Sequence, residues 1–133
     1  MDTFPDGVCK LLHLRYLSMR GTSLKAIPKS IKKLRNLETL DLRYTLVEDL
    51  TVEIAGLQKL RYLHLKSVNG LGCKAPTYIG KLSSLQKLGT IDVDESNGNI
   101  ILGEVGKLTQ LKTLYIARLR GEDRMTFALP LQN

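Results

Sequence analysis

The chain has 133 residues and a net charge of +7, with 43% hydrophobic, 25% charged and 5% aromatic residues. This length fits one globular domain, and the mixture of apolar and charged residues excludes an intrinsically disordered chain. No apolar run approaches the roughly 18 residues of a transmembrane helix, so no transmembrane segment is expected. Leucine supplies 26 of the 133 residues, an excess that indicates an internal repeat.

An apolar-Pro-x-x-apolar phrase opens the chain at residues 4–8 and recurs along it. Its further copies, two of them degenerate, lie at 27–31, 50–54, 75–79 and 101–105. The start of the chain, residues 1–6, lacks the charged and then apolar segments of a signal peptide. We therefore interpret residues 1–10 as the tail of a repeat that precedes the first complete one.

A leucine pattern, L-x-x-L-x-x-L-x-L, follows each phrase. Its alternating end predicts a half-buried strand, whereas the three-residue spacing before it is typical of a helical or 3₁₀ turn. The strand residues that we take as equivalent are Leu17, Leu40, Leu63, Ile91 and Leu114, at steps of 23, 23, 28 and 23 residues. The long step is ascribed to extra residues in the loop at 68–73 and to an additional L-x-x unit before Ile91.

A period of this length with this consensus is that of the leucine-rich repeat. The predicted fold class is an α/β solenoid, an arc with a parallel β-sheet on its concave face and short helical or irregular turns on its convex face. A coiled coil is excluded because Pro5, Pro28 and Pro76 recur at fixed repeat positions, where proline would break a long helix. About five copies are expected over residues 11–118, followed by an irregular and truncated or altered segment at 119–133.

Each copy has one position where such repeats usually carry a buried asparagine that bonds the backbone of adjacent turns. Here this position holds Thr22, Thr45, Val68, Ser96 and Leu119. Threonine and serine hydroxyls can still bond the loop backbone, whereas Val68 and Leu119 cannot. The sequence therefore predicts that this row of bonds is interrupted next to the long loop and near the C-terminus.

Two phrases carry a resemblance to a known family: M-R-G-T-S-L-K-A-I-P at 19–28 and L-E-T-L-D-L-R-Y-T at 37–45. With I-G-K-L at 79–82 and V-G-K-L at 105–108, they resemble the leucine-rich-repeat region of plant NB-LRR disease resistance proteins of the coiled-coil type. The resemblance covers about residues 4–118. It implies a cytoplasmic receptor whose repeats hold a nucleotide-binding switch inactive and help to detect pathogen effectors. The chain has no G-x-x-x-x-G-K-[ST] phosphate loop, so it is not itself that switch and no cofactor is expected.

The two cysteines also bear on location. Cys9 and Cys73 have neither C-x-x-C spacing nor a histidine partner at metal-ligand spacing, and the chain has no N-glycosylation sequon. Such cysteine usage favours a reducing, cytoplasmic setting.

The outward positions of the predicted strands form columns across the concave face. The column between the two strand leucines contains Ser18, Asp41, His64, Asp92 and Tyr115. The columns on either side add Tyr16, Tyr62, Arg20, Arg43 and Lys66. We expect Asp41 and Asp92 to flank His64 and to favour its protonated form. These ten residues are the predicted partner-binding residues.

Catalysis is not expected from these columns. A hydrolase triad needs its base between nucleophile and acid, whereas Ser18 neighbours Asp41 and His64 lies one strand beyond. A metal at Asp41, His64 and Asp92 is an alternative for which the sequence shows no supporting partners. Arginine beside tyrosine is typical of interface hot spots, so the hypothesis is that Arg20, Arg43 and Tyr62 anchor an acidic partner.

The predicted function is a non-catalytic protein-interaction module that contacts a pathogen effector or its own nucleotide-binding domain, with no small-molecule substrate. One alternative is a free-standing intracellular scaffold similar to the plant Ras-group repeat proteins. Another is a basic-surface binder of nucleic acid or anionic membrane, since eight basic and no acidic residues lie from Lys10 to Arg35. No stacking or groove-fitting motif accompanies this charge, so nucleic acid is not favoured. The concave face is on the order of 400 Å², half of a standard interface side, which predicts a piece of a longer receptor or a truncated gene product.

Overall fold

The repeat builds one seven-stranded sheet in the part of the chain that the structure describes. The structure, a computed structural model, describes residues 3–5, 7–66, 72–93, 98–120 and 123–130, with only the backbone described from residue 118 onward. The strands are β1 (Tyr16–Ser18), β2 (Thr39–Asp41), β3 (Tyr62–His64), β4 (Cys73–Lys74), β5 (Lys87–Val93), β6 (Thr113–Arg120) and β7 (Asp123–Pro130).

The main sheet has the order β1-β2-β3-β5-β6-β7, with β4 paired beside β5. All pairs from β1 to β6 are parallel, and Leu17, Leu40 and Leu63 lie in register as the sequence predicts. The N–H group just before each strand donates to a carbonyl of the previous copy. These four bonds run from Glu38 to Arg15, Arg61 to Glu38, Gln86 to Arg61 and Lys112 to Gln86, each at 2.8 Å. The parallel solenoid predicted from the repeat is thereby confirmed.

Short 3₁₀ helices begin within the repeated phrases or at their last residue, and they carry the chain back between strands. They span Val8–Lys10, Lys29–Lys33, Val52–Gly56 and Ile79–Lys81. Pro28 stands just before one of them with a φ of −72°, which suits its ring and needs no N–H donor. In the fifth copy the same place is taken by one α-helix, α1 (Gly98–Val105).

The leucines at the three-residue spacing form one continuous core. Those of the second and third copies are fully buried: Leu34, Leu37, Leu40, Leu57, Leu60 and Leu63 each have 0% exposure. Ile31, Ile54 and Ile79 of the 3₁₀ helices pack into the same cluster at 0% exposure. Leu11 and Leu12, before β1, are 55% and 53% exposed. The central copies therefore hold the best-packed part of the core.

The fourth copy corrects the predicted register. Leu63 pairs with Leu88, and Leu88 pairs with Leu114, so Leu88 and not Ile91 is the equivalent strand residue. The spacing is therefore 25 residues from Leu63 to Leu88 and 26 from Leu88 to Leu114. The unit before Ile91 belongs to the ordinary leucine pattern. Two of the five extra residues lie before Leu88, and the other three lie after it, where the register with β6 shifts before Ile91.

Gly89 lies in this bulge against β6. A Cβ atom there would overlap Cβ of Tyr115 and lie 2.9 Å from its ring atom Cδ2. We expect Gly89→Ala to lower the free energy of unfolding by about 2 to 3 kcal/mol, in the upper range for overpacking. Cβ and the backbone nitrogen of Tyr115 cannot move away as its ring can, and the φ of 156° at Gly89 disfavours a side chain.

The matched control for Gly89→Ala is Gly103→Ala in α1, where a Cβ atom would meet nothing within 4 Å. This variant should gain about 0.5 to 1 kcal/mol from helix propensity. Urea unfolding followed by circular dichroism measures both. Equal effects of the two variants would contradict the close packing of Gly89 on Tyr115.

The end of the chain departs from the predicted irregular segment. β7 pairs antiparallel with β6, from Thr113 with Pro130 to Arg120 with Asp123. An antiparallel neighbour needs only a short turn, whereas a parallel one needs a crossover. Strand structure therefore continues across the predicted boundary at residue 118, with the strand direction reversed.

The threonines at the asparagine position bond the turn backbone as predicted. The hydroxyl of Thr22 donates to the carbonyl of Met19 at 2.7 Å, and that of Thr45 donates to the carbonyl of Leu42 at 2.8 Å. Both hydroxyls also accept from the N–H two residues on, at 3.4 Å. Val68, Ser96 and the side chain of Leu119 lie outside the described residues, so the predicted interruption remains a prediction.

Candidate interaction surface

The predicted columns are placed by strands β1 to β3 in register. Ser18 pairs with Asp41 and Asp41 with His64. Tyr16 aligns with Tyr62 through Thr39 between them. Beyond the strand ends, the N–H groups of Gly21 and Tyr44 donate to the carbonyls of Arg43 and Lys66. Arg20, Arg43 and Lys66 are thereby brought to one level.

Asp92 does not join this surface as predicted. His64 pairs with Gly89, whereas Asp92 pairs with Lys74 on β4 and with Ala117 on β6. The cause is the bulge after Leu88, which moves the later part of β5 along the sheet. The proposed trio of Asp41, His64 and Asp92 is therefore not assembled, and Tyr115 lies opposite the bulge, against Gly89.

Asp41 and Arg43 form the best-defined polar pair of the surface. Asp41 is 2% exposed. Its carboxylate accepts from Arg43 Nε at 2.9 Å, from Nη2 at 2.8 Å and from the Arg43 backbone N–H at 3.1 Å. Burial alone would raise the pKa of Asp41, but these hydrogen bonds and the positive charge hold it below its usual value. Arg43 is therefore committed to Asp41 and is not the free anchor that the sequence suggested.

His64 has an environment opposite to the predicted one. Burial lowers the pKa of His64, and the positive charges of Arg43 and Lys87 lower it further. The charge of Asp41 opposes them without reversing the direction. The protonated form expected from two flanking carboxylates is thus wrong, since one carboxylate is elsewhere and the other is paired. The imidazole instead lies parallel to the Tyr62 ring, with centroids 6.4 Å apart and an interplanar angle of 4°.

Cations lie over three tyrosine rings along the surface. The guanidinium of Arg20 is 5.3 Å from the ring centroid of Tyr44, and that of Arg61 is 5.7 Å from that of Tyr62. The Lys87 ammonium lies 5.4 Å from the centroid of Tyr115. Contacts within about 6 Å are attractive, at about 0.5 to 1 kcal/mol in exposed places. The surface therefore presents aromatic rings already paired with cations.

Sequence reasoning missed two members of the surface, Lys87 and Tyr44. Lys87 precedes Leu88 and aligns with Tyr62, so aligning the fourth copy on Leu88 would have found it. Tyr44 follows Arg43 in the turn after β2 and has a positive φ of 60°. No sequence signal marks that backbone conformation in a residue other than glycine or asparagine.

A second polar surface runs along the edge where the strands begin. Glu38 lies between Arg15 at 3.7 Å and Arg61 at 3.6 Å. Asn36 donates to the carbonyl of Leu12 at 3.0 Å and accepts from Lys59 Nζ at 2.9 Å. These bonds link neighbouring copies to each other, and exposed pairs of this kind contribute little to stability. We therefore infer that the bonds along this edge help to hold neighbouring copies in register.

Cys73 is a buried thiol without reactive character. Its Sγ donates to the carbonyl of Val47 at 3.2 Å. Burial, and then the negative charges of Asp49, Asp92 and Glu48, raise the pKa of Cys73 to about 12, so the nucleophilic thiolate is disfavoured. Among the side chains that the structure describes, no three His, Cys, Asp or Glu residues are grouped so as to hold a metal ion. Within the same residues, no helix has the length and apolar character needed to cross a bilayer.

The stacked parallel strands, the leucine core and the polar concave sheet define a leucine-rich-repeat protein. Comparison with known proteins specifies it further. The family described as "Leucine-rich repeat region" matches residues 4–129, and the chain belongs to this family. Its relatives among well-described proteins are plant disease resistance proteins, as the phrases at 19–28 and 37–45 suggested.

Three relatives illustrate this similarity. Disease resistance protein Pik-2 of Oryza sativa subsp. japonica is 47% identical over 53 residues, covering 40% of this chain and 5% of that protein. Disease resistance RPP13-like protein 4 of Arabidopsis thaliana is 34% identical over 119 residues, 88% of this chain and 14% of that protein. Probable disease resistance protein RF45 of Arabidopsis thaliana is 35% identical over 123 residues, 90% of this chain and 11% of that protein. The chain thus spans only a small part of the length of these relatives.

A solved structure supports the fold alone. An internalin from Listeria monocytogenes superposes with a TM-score of 0.59 at 24% identity, covering 77% of this chain and 28% of that one. The same strand and turn arrangement therefore recurs in a distant sequence. The family and the fold are those of interaction modules, whose concave sheets bind partners.

Proposed function

We propose that the chain is a non-catalytic protein-interaction module in plant defence, whose concave face binds a protein partner. The partner is a pathogen effector or the nucleotide-binding domain of the same receptor, and the setting is cytoplasmic. The observation that carries this proposal is the set of three tyrosines at this face, Tyr44, Tyr62 and Tyr115, whose rings each lie within 6 Å of a cation. The names of the relatives, all disease resistance proteins, support the role in defence.

The charge of this face favours an acidic partner. Asp41 is buried against Arg43, so their charges cancel at the surface. Arg20, Lys66 and Lys87 remain and give the face a net positive charge. Tyrosine and arginine are enriched at interface hot spots because they combine apolar area with directed hydrogen bonds.

The same proposal includes a division of the chain. Residues 1–10 would be the tail of a preceding repeat, 11–118 the repeats that carry the surface, and 119–133 a C-terminal segment that includes the antiparallel strand β7. Of the binding residues proposed from the sequence, we retain all except Asp92. We add Lys87 and Tyr44 to them.

A charge-reversal experiment tests the concave face. In Arg20→Glu with Lys66→Glu, we expect at least about tenfold weaker binding to an acidic partner, because two attractive charges become repulsive. The matched control is Lys29→Glu with Lys32→Glu, which makes the same change in net charge on exposed positions of a 3₁₀ helix. Surface plasmon resonance is run against two sets of purified probes, a nucleotide-binding domain from a plant disease resistance protein and pathogen effectors.

The outcomes distinguish binding by the concave face from binding governed by net charge and from binding to polyanions. Loss in the concave variant alone supports the proposal, and the probe set that binds identifies the partner class. Equal loss in both variants would mean that net charge and not the concave face governs binding. A steep salt dependence of binding to RNA or anionic vesicles, with no protein probe bound, would favour the polyanion alternative.

A further inference from the structure

His64 occupies the middle of the concave face, with a different neighbour on each side. On the β2 side, Asp41 lies at its level with Arg43 two residues further along. On the β5 side its partner is Gly89, which has no side chain. Lys87 lies two residues before Gly89 on that strand. The cations of the neighbouring strands therefore lie diagonally to the imidazole, Arg43 two residues beyond its level and Lys87 two residues before it. The ring itself is stacked beside Tyr62 on its own strand.

The charges around this ring do not balance. The carboxylate next to it, Asp41, already accepts three hydrogen bonds from Arg43. Burial, the largest cause, lowers the pKa of His64, and the positive charges of Arg43 and Lys87 lower it further while the charge of Asp41 opposes them. Because Arg43 is paired with Asp41, a negative group arriving from outside would meet the Lys87 ammonium and a ring nitrogen able to donate once protonated.

We infer that His64, between Arg43 and Lys87, is the subsite of the concave face that takes an acidic side chain of the protein partner. This inference rests on the proposed function of that face. The imidazole takes up one proton from solvent as the carboxylate docks, and it then donates a charge-assisted hydrogen bond to that carboxylate. The Lys87 ammonium supplies the second contact.

The geometry suits a carboxylate better than a phosphate. Phosphate recognition usually uses an arginine fork with two parallel N–H donors. Arg43 has already directed Nε and Nη2 to Asp41, so its fork is occupied. A singly charged carboxylate needs only the imidazolium and the Lys87 ammonium. The inferred ligand is therefore an aspartate or glutamate side chain in a protein segment.

The chain supplies its own control for an NMR test, because it has two histidines. His64 lies in the subsite, whereas His13 lies in an exposed turn before β1. The imidazole resonances of the full chain are followed from about pH 5 to 8 with and without a hexaglutamate peptide. We expect the peptide to raise the pKa of His64 and to leave the His13 resonances where they were.

A variant tests the second contact. Lys87→Gln should weaken binding of the hexaglutamate peptide about three- to tenfold, whereas Lys29→Gln, the same change on the opposite side of the sheet, should alter it less than about twofold. Circular dichroism confirms that both variants are folded. Binding of the peptide should also be tighter at about pH 5.5 than at pH 7.5, because the complex holds the extra proton.

Four results would overturn the subsite: a His64 titration unaffected by saturating peptide, equal movement of both histidines, equal loss in both lysine variants, or tighter binding of inorganic phosphate than of the peptide. The wild-type titration needs no variant to fold. Failure here, with partner binding still lost in the charge-reversed concave face, would reject the subsite alone. A His64 response together with unchanged partner binding in that charge-reversed variant would instead reject the proposed function.

Discussion

Leu63→Ala is expected to lower the free energy of unfolding by about 3 to 5 kcal/mol, in the upper part of the range for buried leucines. Leu63 is fully buried and is paired in register with Leu40 on one side and Leu88 on the other. Its neighbours belong to copies held at fixed spacing by backbone hydrogen bonds. They cannot move inward to fill the space of the lost methyl groups, so the cavity persists.

Urea unfolding monitored by circular dichroism measures this loss, with one cooperative transition as the condition for a free energy. Leu12→Ala is the matched control, since the same atoms are removed from a side chain that is 53% exposed. That change should stay within about 0.5 kcal/mol of the wild type. Comparable losses at both positions would contradict a core centred on the middle copies.

Asp41→Ala is expected to cost about 2 to 3 kcal/mol at pH 7. Removing one partner of a buried pair usually costs about 3 to 5 kcal/mol, because the other charge is left buried and unpaired. The cost is smaller here because the side chain of Arg43 is 36% exposed, so water can hydrate the released guanidinium. Asp49→Ala, at an exposed carboxylate, is the control and should change stability by less than about 0.5 kcal/mol.

The stability difference between the wild type and Asp41→Ala should also depend on pH. Arg43 holds the pKa of Asp41 below its usual value in the folded chain. The stabilisation is therefore complete above the unfolded value of about 4 and is lost as the pH falls through the folded pKa. The difference between wild type and Asp41→Ala should be largest near pH 7 and shrink below about pH 4. A difference that is constant or grows toward low pH would contradict a charged Asp41 in the folded chain.

The fold could be predicted from the sequence where the repeat is regular. Leu17, Leu40 and Leu63 are spaced by one period, and each buries the same face against the next. The fourth copy was misaligned because L-x-x units look alike, and sequence alone does not say on which side of such a unit extra chain bulges. That one error put Asp92 in the column of His64 and left out Lys87.

For the candidate surface, the sequence predicted the positions of the residues better than their charge pairing. The outward alternation of β1 to β3 follows from the strand period, so Ser18, Asp41 and His64 fall in one column. Side-chain pairing does not follow from that period. Arg43 turns back to Asp41 two residues away, and this local pair decides both the pKa of Asp41 and the potential around His64.

The four backbone hydrogen bonds at the strand starts can report on how stably neighbouring copies are held together. The amides of Glu38, Arg61, Gln86 and Lys112 each cross a single junction between copies, so each exchanges with solvent only when that junction opens. Hydrogen exchange at these amides can therefore rank the junctions by local stability. A partner that stabilises the contact between two copies would slow exchange at the corresponding amide. The pattern of slowed amides would therefore show which copies the partner stabilises.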